Sequence, residues 1–190
     1  SMLTAILRSN KAIFDESKFE LVMDFPYIDG IILDLNLYEC ALKNNIIDKL
    51  LETGIKLYID TPYVTHNNFD ISTYLQYKSI SGIYIRNVDT MFAYINYKNS
   101  YIDSVQSNVV NKNDFKVICT DGVYAYNNMA REFIMTLIPE VIFELPKELN
   151  KSELNKTEFD KNFNNQLVIY EYQQVMVSNQ CVIKNKYSCN

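Results

Sequence analysis

Seven short apolar runs punctuate this chain, and each stops at a charged residue: Arg8, Asp34, Asp60, Arg86, Asp121, Glu144 and Glu171. The first three spacings are equal at 26 residues, and the later ones are 35, 23 and 27. A repeat of this size holds one strand, one helix and two turns. The runs predict strands at 3–8, 30–35, 55–60, 115–120, 140–145 and 166–172, with another opened by Gly82. Ile31, Ile32 and Leu33 are apolar on both parities. Such runs suit parallel strands covered on both faces.

Helical periodicity fills the gaps. A helix is expected over residues 10–24, followed by Pro26 and Gly30 as punctuation. The next has Asn36 as N-cap, Glu39 three residues on as a capping-box partner, and Leu37, Ala41, Ile47 and Leu51 at helical spacing. Gly54 sits where a left-handed C-terminal residue is wanted, and Cys40 reads as core. Pro62 forbids further central-strand pairing after strand three. Asp70 predicts the cap of a helix over 71–79. A fourth helix, 89–98, turns Met91, Phe92 and Ile95 inward. Residues 99–114 are irregular and Asn-rich, an insertion that accounts for the 35-residue step. Asn127 or Asn128 caps a fifth helix carrying Met129, Phe133, Ile134 and Leu137, and Pro139 ends it. Residues 150–162 are a weaker sixth helix, and Val175–Val177 either extends strand seven or supplies an eighth strand.

Strict alternation of strand and helix gives an α/β class with right-handed crossovers. We expect a TIM-like (β/α) barrel, with about seven strands visible where a full barrel needs eight. The open doubly wound alternative commonly carries a Gly-rich turn after strand one; here that turn is Arg8-Ser9-Asn10. Residues 1–178 read as the barrel-like domain and 179–190 as a cysteine-containing tail.

Composition narrows the partners. Net charge is −5 with Lys and Arg scattered, which argues against broad nucleic-acid binding. No apolar run of about 18 residues is present, so no membrane span is expected. Ser1-Met2 leads directly into a strand with no signal peptide, so a cytoplasmic location with reduced cysteines is expected.

The strand-end charges carry the chemistry. In parallel barrels and open α/β sheets, ligands bind beyond the carboxyl ends of the strands. Asp34, Asp60, Asp121 and Glu144 are therefore the catalytic candidates, with Glu171 beside them; carboxylates at one mouth suit a hard cation or acid–base work. Crowded carboxylates raise one another's pKa, which makes proton donors. Arg8, Arg86, Asn87 and Asn127 are the substrate-binding candidates, Arg86 foremost because guanidinium forks onto carboxylates and phosphates. The opposite charges could equally pair with one another across the barrel top. His66 is the single histidine and reads as solvated surface in the turn after strand three. Cys119 shares the parity of Asp121. Cys181 and Cys189 lie outside any predicted element, which suits metal or iron–sulfur ligation, although two ligands cannot hold a cluster.

The run LVIYEYQQVMVSNQC, Leu167 to Cys181, resembles the segment before the first cysteine in peptidase family U32, the collagenase-like peptidases. Other stretches are similar in order: Asp29 to Asp34, Gly82 to Asn87 (GIYIRN), Thr120 to Phe133 (TDGVYAYNNMAREF), and Glu144 to Leu149 (ELPKEL). The resemblance is to a later barrel unit of such proteins and spans most of the chain. Two departures stand out: Tyr170-Glu171 replaces the family's His-Gly or Tyr-Gly, and Val182 replaces a Pro after the cysteine. The resemblance implies a barrel acting on a peptide or protein substrate. It also implies an alternative, an iron–sulfur-dependent hydroxylase acting on RNA or a small aromatic precursor. In that case Cys181 and Cys189 match the first two metal ligands, and an iron–sulfur cluster or divalent metal belongs to a longer protein. A third reading is a non-catalytic docking unit of a larger protein.

Overall fold

A computed structural model of the 190-residue chain describes residues 5–8, 28–66, 68–101, 114–150, 152–153 and 163–169. Among the described residues, seven strands form one sheet: β1 (Ala5–Arg8), β2 (Ile28–Asp34), β3 (Lys56–Asp60), β4 (Ile80–Ile85), β5 (Lys116–Cys119), β6 (Val141–Glu144) and β7 (Asn164–Gln166). Every neighbouring pair runs parallel, and the spatial order is the sequence order. The helices are α1 (Leu35–Lys43), α2 (Ile46–Glu52), α3 (Ser72–Leu75), α4 (Val88–Tyr101) and α5 (Asn128–Leu137). Among the described residues, the helices pack on one face of the sheet, as right-handed crossovers that step in one direction require. A doubly wound sheet would reverse its strand order, and this one does not.

The two faces of the sheet have separate cores. Ile31, Leu33, Leu57, Ile59, Ile83, Ile85, Val117, Val141 and Phe143 point toward the helices. They pack with Leu37, Ala41, Ile47, Leu50, Met91, Ile95 and Ile134. The opposite parity supplies Ile32, Tyr58, Tyr84 and Ile118, with Ile6 and Ile142 packed against them. This second face is concave. The Tyr84 hydroxyl lies 2.9 Å from Gln166 Nε2 and 3.1 Å from its Oε1, although β4 and β7 are three strands apart. Strands spaced about 4.8 Å would hold the two side chains about 14 Å apart on a flat sheet. The sheet is therefore curled, a half-barrel with helices outside.

Two glycines make room within that curl. A Cβ on Gly30 would lie 2.6 Å from Tyr58 Cε2, and one on Gly82 would lie 2.9 Å from Tyr58 Cδ1. Glycine inside a strand marks such a close approach. Gly82 sits within β4 and does not open it, because the strand starts at Ile80.

Several local expectations change. The N-cap of α1 is Asp34, whose side chain accepts from Leu37 N at 2.8 Å, because strand passes to helix with no loop between them. Asn36 is already inside the helix. The long second helix breaks at Asn45, which takes a left-handed φ of 57°, a conformation Asn tolerates. Gly54 does adopt the expected left-handed conformation, with φ 81°. Cys40 is exposed rather than core, and Leu51, Phe92, Met129 and Phe133 face outward. The helix expected over 71–79 shortens to α3, with Asp70 accepting from Ser72 N at 2.9 Å. Strand seven is Asn164–Gln166, not 166–172: its polar side chains find partners in Arg131 and Tyr84. The helix expected at 10–24, most of 150–162, and Val175–Val177 lie outside the described residues. No helix among the described residues is long and apolar enough to cross a membrane.

Candidate functional site

The carboxyl end of β4 is held from both flanks. Thr61, just past β3, donates its hydroxyl to Tyr84 O at 2.8 Å and its amide to the same oxygen at 3.1 Å. Thr120, just past β5, does the same to Ile85 O at 3.1 and 3.0 Å. The Thr61 hydroxyl also accepts from Arg86 N at 3.1 Å. Gly122 lies so close to Arg86 that a Cβ there would meet the Arg86 carbonyl oxygen at 2.0 Å. Backbone groups at the sheet end are thus satisfied before any ligand is considered.

Arg86 occupies this clamp. Its side chain is 2% exposed, and Asp60 beside it 13%. Nε donates to Asp60 Oδ1 at 2.7 Å and Nη2 to Oδ2 at 2.5 Å, a bidentate fork. Nη1 donates to the Tyr63 hydroxyl at 2.5 Å, and the guanidinium lies 4.5 Å from the centre of the Tyr63 ring. Burial alone would disfavour the charge on Arg86. The hydrogen bonds and charge of Asp60 more than offset it, Tyr63 and Glu144 add to them, and the net effect raises the pKa of Arg86 above its ordinary value.

A second cluster adjoins the first. Lys147, on the segment after β6, lies 3.2 Å from Glu144 Oε1 and 3.5 Å from Asp121 Oδ2. The Glu144 side chain is buried and the Asp121 side chain 28% exposed. Asp121 Oδ1 also accepts from Gly122 N at 3.0 Å. Glu144 also acts electrostatically on Arg86, so the two clusters, Asp60–Arg86 and Glu144–Lys147–Asp121, adjoin as an incomplete ring of charges at the ends of β3 to β6.

The other sequence candidates are placed as follows. Asp34 caps α1. Asn87 caps α4 by accepting from Thr90 N at 2.8 Å, and donates to Pro62 O and Tyr63 O at 3.0 and 3.2 Å. Asn127 caps α5 by accepting from Ala130 N at 2.9 Å. These three side chains bond within the fold and tie loops to helices. Arg8 closes β1, but its side chain is outside the described part. Glu171, Cys181 and Cys189 also fall outside the described residues. His66 is exposed.

Several residues escape a search for charged strand ends. On β5 the position two beyond Ile118 is Thr120; Asp121 lies in a 3-10 turn spanning Asp121–Val123. Counting parity from Ile118 would have found it. Cys119 belongs to the helix-side core, and burial pushes its thiol up to about 12. Lys147 and the fully buried Arg131 carried no sequence signal. Arg131 donates to Ala125 O at 2.9 Å and Asn165 Oδ1 at 2.7 Å, and lies 5.0 Å from the centre of the Phe143 ring. Burial pushes it down to about 10, so it stays charged at neutral pH.

Among the described residues no three His, Cys, Asp or Glu side chains are grouped to hold a metal ion. The acids of the ring face Arg86 and Lys147 instead. No family model, no curated protein and no solved structure matches this chain.

Proposed function

We propose that this chain is a barrel unit of the collagenase-like peptidase kind, completing a TIM-like (β/α) barrel, and that it holds a peptide substrate at the carboxyl-end mouth. The observation that carries the reading is the ring itself: Asp60, Arg86, Glu144, Lys147 and Asp121 gather at one end of a parallel curled sheet. That is where folds of this layout bind ligands. In this reading Arg86 and Asp60 are positioning residues, because the fork occupies both Asp60 oxygens. Asp121 is the more exposed acid and Glu144 the buried one, so the pair is the candidate for general acid–base work on a substrate amide. The resemblance of the run Thr120 to Phe133 to the family adds to this assignment. A cytoplasmic location is part of the same proposal.

The test is gelatin hydrolysis by the wild-type chain and by Asp121→Asn, with folding followed by circular dichroism. The reading expects a loss of at least about 100-fold with the fold intact. Equal activity would overturn it.

The pairing of the ring charges favours a second reading, a docking unit that binds without cleaving. Peptide binding with no hydrolysis by the wild type would select it. The hydroxylase alternative rests on Cys181 and Cys189; iron and sulfide in anaerobically purified longer protein would support it.

A further inference from the structure

Beside the ring, the turn after β5 carries two tyrosines in an unusual arrangement. Tyr124 has a φ of 58°, the left-handed region, which a bulky side chain rarely occupies. Such conformations are strained and gather at active sites and ligand clamps. Tyr124 is 69% exposed, so no core packing repays the strain. Its conformation is set by two backbone bonds: Tyr124 N donates to Asp121 O at 2.9 Å, and Tyr126 N donates to Tyr124 O at 2.9 Å. The result is an edge-to-face ring pair, centroids 5.8 Å apart and planes 73° apart. The two rings stand edge to face at a surface corner, with Tyr124 the more exposed of them.

The charge around the corner is mainly negative. Burial raises the pKa of the Tyr126 hydroxyl, and the charges of Glu148 and Asp121 raise it further, while Lys147 acts the other way. Lys147 lies within ion-pair distance of Asp121 and Glu144; Glu148 is exposed. Two surface tyrosine rings on a turn that also carries Asp121, with Glu148 acting on it electrostatically, suit an alkylammonium or guanidinium group, which ring quadrupoles and acids attract together.

We propose that Tyr124 and Tyr126, with Glu148 and Asp121, form a subsite for a lysine or arginine side chain of the peptide held at the mouth. This inference rests on the peptide-binding reading above and narrows its substrate class to cationic peptides.

The probes are Ac-Gly-Lys-Gly-NH2, its arginyl counterpart and its glutamyl counterpart, titrated into the whole chain carrying ring-labelled tyrosine. Binding is read from the ring resonances. The lysyl and arginyl probes bind about 10-fold more tightly than the glutamyl one, and Tyr126→Ala weakens them about five-fold. Tyr124→Gly relieves the left-handed strain, so it raises the urea midpoint while losing the cationic preference; this separates binding from folding. Glu148→Gln reduces the salt dependence of binding. The inference is overturned if the three probes bind alike, or if Tyr124→Gly binds the lysyl probe as the wild type does. Binding of the three probes without cationic preference sinks this inference alone. No binding of any peptide sinks the parent reading with it.

Discussion

Arg86 and Asp60 end neighbouring strands and meet in a two-pronged ion pair, 2.7 and 2.5 Å, with the Arg86 side chain 2% exposed. Removing one partner of a buried pair leaves the other charge stranded, at a cost of about 3–5 kcal/mol. Arg86→Met and Asp60→Leu are each expected to lose about that much in urea unfolding. The double variant should recover a large part, since apolar replacement of a whole pair is close to neutral. A single variant that loses less than about 1 kcal/mol, the value of a surface pair, would contradict the buried geometry.

The tight fit of Tyr58 between two strands predicts a graded response to Gly→Ala. At Gly82 the added methyl meets Lys116 O at 2.4 Å, and at Gly30 it meets Lys56 O at 2.9 Å. Overpacking costs about 1–3 kcal/mol, and backbone oxygens cannot swing aside as a side chain can. Gly82→Ala is therefore expected to be the more destabilising in chemical denaturation. The reverse order would contradict the register of β3, β4 and β5.

Alkali stability reports Cys119. In the unfolded chain its thiol ionises near the ordinary 9.0, and in the fold burial holds it protonated to about 12. Between those values only the unfolded state gives up the proton, so its contribution is full below pH 9 and falls as pH rises. The slope approaches about 1.4 kcal/mol per pH unit from this group alone. Buried Tyr38, Tyr58 and Tyr94, raised above 10.0 chiefly by burial, steepen the fall beyond that pH. Cys119→Val should flatten the loss between pH 9 and 10, measured by urea titration at each pH. An unchanged slope would place the thiol in water.

Arg131 links α5 to β7 through Asn165 and stacks on Phe143 and Phe163. Arg131→Ala removes a charge-assisted bond and buried packing together, about 3 kcal/mol in sum. Hydrogen exchange should quicken first at Asn164–Gln166, the end of the sheet this residue holds. Uniform acceleration across all strands would show that the loss is global.

Much of the fold was legible because parallel strands buried on both faces leave uninterrupted apolar runs. Ile31 to Leu33 and Ile83 to Ile85 gave the sheet, and Gly54 gave a helix end. The helix faces were less readable. Met129 and Phe133 look like core by composition, but Arg131 fills the inward position because it can bond to Ala125 O and Asn165 while lying on rings. β7 was misplaced by the pull of the apolar run from Leu167, since side-chain partners and not hydrophobicity fix Asn164–Gln166. At the mouth, charge at a strand end found Asp60, Arg86, Asp121 and Glu144. It found Asp34 as well, and Asp34, like the polar candidates Asn87 and Asn127, is a helix cap, a role that uses the same residue types. Lys147 was invisible because its role depends on distances to Asp121 and Glu144, which no spacing reveals.

The most direct test of the mouth is a titration of the nitrogen-15-labelled chain with a gelatin-derived peptide, followed by amide shifts. We predict that shifts concentrate at 60–63, 86–87, 120–126 and 144–148, the carboxyl ends of β3 to β6. Shifts at the opposite end of the sheet, around Lys56, Ile80, Lys116 and Val141, or no shifts at all, would contradict the account.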